Sequence, residues 1–178
     1  MDKKTRTLVS ARAILAALSI LFAFFSVHAD QKDTHLDVYK TPTCGCCVDW
    51  IKHVEEHNFQ TTVYHPENIS ALKQEKGIKR RFQSCHTGVS ERGYVFEGHI
   101  PARFINEFLA SPPNNSIGLS VPGMPVGSPG MEVDDKFLPY KILTLMKDGS
   151  VEVFKEIKNM NEQYDPSSQG TPLQATSK

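Results

Sequence analysis

The segment TPTCGCCVDWIKHV, residues 41–54, places Cys44, Cys46 and Cys47 within four positions, between a β-rich hexapeptide and an amphipathic helical pattern. HLDVYK (35–40) alternates apolar and polar side chains, the period of a strand buried on one face. After the TPT break, Val48, Ile51 and Val54 recur at helical spacing, and the pattern ends near His57-Asn58. The sulfurs therefore fall where a strand hands over to a helix. A helix start lowers thiol pKa, because its free N–H groups and its dipole favour the thiolate. Gly45 is expected to let the backbone turn tightly between them.

The rest of the chain extends this beginning into a fold. FQTTVYH (59–65) predicts a second strand closed by Pro66, and NISALKQEKG (68–77) a helix capped by Asn68 or Ser70 and stopped at Gly77. FQSCHTGV and GYVFEGH (93–99) predict two short strands joined at SERG. IPARFINEFLAS (100–111) predicts a helix with Pro101 in its first turn. YKILTLMKDGSVEVFKEI (140–157) predicts a hairpin turning at Asp148-Gly149. The order βαβαββα is that of a thioredoxin-like α/β domain, with a right-handed first crossover and an added C-terminal β-hairpin. Residues 111–135 are rich in Pro and Gly, show no periodicity, and predict one long functional loop.

The first 29 residues belong to a different category. Lys3, Lys4, Arg6 and Arg12 surround the start of an uncharged 13-residue run, AILAALSILFAFF, and SVHA ends on small residues at the positions a signal peptidase reads. The run is short of the ~20 residues that span a bilayer. The expectation is a cleaved signal peptide (1–29), a domain over 30–158 and a disordered polar tail over 159–178. The exported part then has no membrane span and lies in the periplasm. Without the leader the chain keeps 16 basic and 19 acidic residues, a net charge of −3. No basic stripe is present, which argues against nucleic acid as a partner.

An oxidising compartment leaves cysteines paired, redox-active or metal-bound. The fourth cysteine, Cys85, stands in FQSCHTG, at the slot before the third strand. In the predicted topology it faces the other three. Two structural disulfides fit poorly with adjacent Cys46 and Cys47. Disulfide exchange needs only two sulfurs: Cys44 as the more exposed nucleophile and Cys47 as the resolving thiol would make a thiol–disulfide oxidoreductase. Zinc takes four thiolates in one tetrahedron, a geometry that neighbouring cysteines at a helix start do not suit. Monovalent copper is soft and shares thiolates between several ions, and it also accepts thioethers. Met124 and Met131, in two similar PGM turns, are the thioethers outside the strands. Segment 118–131 is expected to fold back over the helix start, with Met124 the better placed.

YKTPTCGCCVDWIKHVEEHNF, SCHTG, GYVFEGHIPARFINEFL and GLSVPGMPVGSPGME together resemble the CopG-type periplasmic copper-resistance family, first catalogued as a domain of unknown function. The resemblance covers roughly residues 36–157. It implies a thioredoxin-like fold and a cysteine-bridged site for several copper ions, on positions matching Cys44, Cys46, Cys47 and Cys85. Copper tolerance is the expected role; storage, transfer to other periplasmic copper-handling proteins and cycling between Cu(I) and Cu(II) stay open as alternatives.

The histidines divide less sharply. His86, next to Cys85, would point to the opposite face of a strand and is a ligand candidate on an equal footing with a structural role. His53 and His57, at i and i+4 beside Lys52, Glu55 and Glu56, read as a solvated helix face. His99, closing a strand before a helix, reads as a cap-like hydrogen-bonding group, and Trp50 as a core or site-lining aromatic.

Overall fold

The computed structural model describes residues 33–164. The signal peptide expected over 1–29 and the tail beyond Tyr164 lie outside the described residues. Seven strands form one sheet in the order β2-β1-β3-β4-β5-β6-β7. Strand β1 (His35–Tyr39) leads into α1 (Gly45–Glu56) and returns as β2 (Gln60–Tyr64), parallel to β1. Helix α2 (Ile69–Glu75) follows, then β3 (Thr87–Ser90) antiparallel to β1 and β4 (Val95–Glu97) antiparallel to β3. Helix α3 (Ala102–Ala110) closes the βαβαββα unit. Strands β6 (Tyr140–Met146) and β7 (Val151–Ile157) form the expected antiparallel hairpin. The molecule is a mixed α/β fold of thioredoxin-like type.

The sheet packs on both faces. Phe96 joins a large cluster with Trp50, Val54, Phe104, Ile105, Phe108, Leu36 and Ile142, so α1 and α3 cover one face. Val95, one residue away and pointing oppositely, joins Ile78, Phe82 and Leu145 in a smaller cluster. The amphipathic pattern of α1 is realised as a buried stripe of Cys47, Trp50, Ile51 and Val54. Asn68 caps α2 by accepting the Ala71 N–H at 2.9 Å.

Four local expectations need correction. Residues 111–135 are not all loop, because β5 (Ser116–Ser120) pairs parallel with β4 and antiparallel with β6. This strand fuses the hairpin to the thioredoxin-like unit in one continuous sheet. Second, β3 begins only at Thr87, so Cys85 and His86 sit in a bend rather than a strand. Third, packed structure continues past residue 158: Met160–Gln163 form a 3-10 turn whose buried Gln163 accepts from Tyr140 Oη–H at 2.6 Å and donates to Gly127 O at 2.8 Å.

The fourth concerns His53, which is not on a solvated face. Its Nε2 accepts the Ala102 N–H at 3.0 Å, so a side chain of α1 satisfies an orphan donor at the start of α3. Burial, and secondarily the neighbouring His57, push its pKa down to about 3. The folded state thus holds a neutral imidazole while the unfolded chain protonates near 6.5. The stability that this contact provides is complete above pH 6.5 and is lost as pH falls from 6.5 toward 3. At pH 5 the loss is about 2 kcal/mol, from 1.4 kcal/mol per pH unit below the unfolded pKa. His53→Gln, which keeps an acceptor but does not titrate, is expected to remove that part of the slope. Urea midpoints at pH 7.5 and 5.0 measure it, and equal slopes in the two proteins count against the assignment.

Candidate metal centre

The turn between β1 and α1 is built from the inside. Lys40 is buried, and its Nζ donates to Thr41 O at 2.9 Å and Pro42 O at 3.4 Å, bracing the segment that leads to the cysteines. The Cys44 N–H closes the turn on Thr41 O at 3.3 Å. Cys44 is the N-cap residue of α1, and its side chain makes no cap hydrogen bond. Cys46 and Cys47 lie in the first helical turn. Cys44 and Cys47 are joined as a disulfide, with Cys47 fully buried and Cys44 partly exposed, while Cys46 and Cys85 are free. Cys44 Sγ lies 3.6 Å from Cys46 Sγ.

Cys85 does face the other three: all four sulfurs lie within 4.8 Å of one another. Burial, and then the adjacent Cys46, push the Cys85 thiol up to about 11. It is a thiol at neutral pH until something replaces its proton.

A second group shares that sulfur. Cys85 Sγ, His86 and His99 offer ligand atoms within 4.8 Å of one another. Because Cys85 is in a bend, His86 does not point away from it, and its Nδ1 is 3.3 Å from the sulfur. His99, which sequence reasoning left as a cap, puts Nε2 at 3.1 Å from Cys85 Sγ. Its Nδ1–H donates to Pro129 O at 2.8 Å, which fixes the tautomer and leaves the Nε2 lone pair on the sulfur side. Metal-ligating histidines are oriented by just such a bond from the other nitrogen. Burial lowers the pKa of His99; burial, followed by the charges of His99 and Lys73, holds His86 well below the usual range. Both rings are therefore neutral and available as ligands. Among the described residues, buried His86 Nε2 finds no hydrogen-bond partner. The signal for His99 was the EGHIP turn after β4, but a lone histidine there carries no ligand spacing to read.

Trp50 lines the floor, its ring centroid 4.2 Å from that of His86 and its Nε1–H donating to Ile100 O at 2.9 Å. The loop after β5 folds toward the helix start through its glycines and prolines. A Cβ on Gly130 would lie 2.7 Å from Cys46 O and from Trp50 N. Gly123 is held by Gln83 and Ser84, next to Cys85. Met124 stands with 53 % of its surface exposed, and Met131 is half-buried.

Two solved structures are similar to this chain over most of its length. The chain is 40% identical to each of two forms of the copper resistance protein CopG, with a TM-score of 0.66, covering 70% of this chain and 98% of that one. This chain belongs to the CopG copper-resistance protein family. A family model described as a protein of unknown function, DUF411, matches residues 82–131, the stretch that holds Cys85, His86, His99, β5 and the Pro/Gly loop. No curated protein sequence matches. Four sulfurs, neutral imidazoles and no carboxylate in either group make a soft donor set, and that composition fits copper better than a hard divalent cation. No helix among the described residues of this CopG relative is long and apolar enough to cross a membrane.

Proposed function

We propose that the protein is exported to the periplasm and binds copper there as part of copper tolerance, holding several Cu(I) ions on Cys44, Cys46, Cys47 and Cys85. The observation that carries this reading is the convergence of all four sulfurs within 4.8 Å from two separate segments. His86 extends the sulfur set as a nitrogen ligand, and His99 adds a second nitrogen on the same side of Cys85. The thiolates supply soft, bridging ligation that favours the monovalent ion. Loading all four sulfurs requires two electrons and two protons to open the Cys44–Cys47 disulfide, delivered by a dithiol reductant. It also displaces the proton that burial keeps on Cys85, so copper affinity rises with pH. The N/S composition is compatible with copper passing between Cu(I) and Cu(II), and with exchange to other copper-handling proteins of the same compartment.

Metal analysis of the mature protein, reduced and copper-replete, tests the proposal. More than one copper per chain, retained against zinc, is expected; less than one, or zinc retained against Cu(I), removes it. Met124 is assigned as the thioether that completes the site, supported by the bonds that hold its neighbour Gly123 to Gln83 and Ser84, next to Cys85. Met124→Leu keeps the volume and loses the sulfur. It is expected to weaken Cu(I) binding by about tenfold, the scale of losing a supporting ligand contact, and to shift the sulfur-to-copper absorption. An unchanged spectrum and affinity would leave Met124 as cover alone.

The disulfide itself favours a second reading. A C-x-x-C pair at a helix start, the outer sulfur partly exposed and the inner one buried, is the arrangement of a thiol–disulfide oxidoreductase. Insulin reduction by metal-free protein with Cys46 or Cys85 replaced by Ser separates the two: an exchange enzyme keeps working, a copper site is damaged.

A further inference from the structure

Cys85 lies in a segment with no ladder or helix to hold it, yet its flanks are fixed by a buried ion pair. Lys73 of α2 is 2% exposed and Glu97, the last residue of β4, is 0% exposed. Their ammonium and carboxylate are in direct contact. The same two groups grip Ser84: Lys73 Nζ donates to Ser84 O at 2.8 Å, and Glu97 Oε1 accepts the Ser84 N–H at 2.6 Å. Glu97 Oε2 accepts the Thr87 hydroxyl at 2.6 Å. Cys85 and His86 are the two residues between these anchors. Ser84 Oγ–H in turn donates to Gly123 O, so the grip extends to the Pro/Gly loop.

We propose that the Lys73–Glu97 pair is the positioning element of the metal centre, setting where Cys85 and His86 stand relative to Cys46. This rests on the copper reading above for its functional meaning. Stability alone does not account for such a pair, since well-packed apolar replacements of buried ion pairs are often neutral or stabilising. Charge-assisted bonds to both backbone groups of one residue, by contrast, hold it in one place and orientation. Irregular backbone must find partners in any case; here both partners come from one rigid unit that bridges α2 and β4.

The test compares wild type with Lys73→Met/Glu97→Leu, which removes the grip and keeps apolar volume. Three quantities are read on reduced protein: the Tm of the metal-free form, Cu(I) affinity by chelator competition, and the Cys46–Cys85 effective concentration. The last is measured without metal, against glutathione, in a Cys44→Ser/Cys47→Ser background. The expected result is a Tm lower by about 5–15 °C, because the Ser84 backbone groups and the Thr87 hydroxyl lose their partners, with effective concentration and Cu(I) affinity each down about 10–100-fold, the range for residues that orient ligands. Ile157→Val, in the core of β7, serves as the control: a Tm lower by a few degrees with both other quantities unmoved. The proposal is overturned if the folded double variant keeps both quantities, or if Ile157→Val loses them equally. If wild type holds no Cu(I) while the effective concentration still falls in the double variant, the copper reading fails and the positioning stands. Should the double variant not fold, Glu97→Asp, which keeps the charge but withdraws it by one methylene, is read by the same criteria.

Discussion

Replacing Cys85 by Ser is expected to lower the Cu(I) affinity of the reduced protein by about a hundredfold or more, beyond the range seen when only a supporting residue is lost. The Cys44–Cys47 disulfide of the oxidised protein should form as before. The reasoning is geometric. Three sulfurs come from one turn of one helix, and Cys85 is the donor that arrives from a different segment. It is also the sulfur on which His86 and His99 converge, at 3.3 and 3.1 Å. Ser puts a hard, poorly ionising oxygen there, which a soft ion does not accept in place of sulfur. The fold should tolerate the change, because Cys85 is partly exposed and its neighbours are held through their backbone. Chelator competition gives the affinity and thiol titration the disulfide. A Cys85→Ser protein that binds Cu(I) like wild type would leave the four-sulfur site without its cross-segment ligand and move the assignment to the CGCC turn alone.

What was legible in the sequence follows from which interactions are local. The β1-α1-β2 unit is visible because its alternation and helical spacing are properties of neighbouring residues, and the CGCC run marks their junction. The facing of Cys85 toward that junction also followed from topology, since the strand that follows it, β3, runs beside β1. His86 was legible as a ligand candidate, but the placement of neither histidine was. His86 was placed by assuming a strand that starts later than expected, so its direction was inferred from an alternation that does not apply there. His99 depends on Pro129 O, thirty residues away, for its tautomer. Lys73 carries no distinguishing mark in ISALKQE; only Glu97, brought beside it by the sheet, makes its burial tolerable. Such long-range polar pairs leave no periodic trace. Strand β5 did leave one, since Ile117, Leu119 and Val121 alternate, but the surrounding Pro and Gly obscured it.

Gly118 shows why that strand is as irregular in sequence as it is. Gly118→Ala is expected to destabilise the protein by about 2–5 kcal/mol, combining overpacking of 1–3 kcal/mol with 1–2 kcal/mol for a side chain at positive φ. The residue has φ of +150° and pairs with Val95 of β4, and an added Cβ would fall 1.8 Å from Val95 O. The overlap is with backbone on a central strand, so no side chain can move aside to relieve it. The β5–β6 register also shifts between Ser116 and Gly118, the kind of irregularity at which a strand glycine is found. Separation of β4 from β5 would release the hairpin and the loop that carries Pro129, so copper affinity should fall together with stability. Gly45 provides the contrast. Although it lies within the CGCC run, it is the first residue of α1, its φ is not positive, and a Cβ there meets nothing within 4 Å. The tight turn expected of it is not what the structure uses it for. Gly45→Ala should raise stability by about 0.5–1 kcal/mol through reduced chain entropy. Urea denaturation of the two variants therefore gives shifts of opposite sign. A Gly118→Ala protein within 1 kcal/mol of wild type, on the ~1 kcal/mol scale of an ordinary substitution, would mean that β4 and β5 are not held in this register.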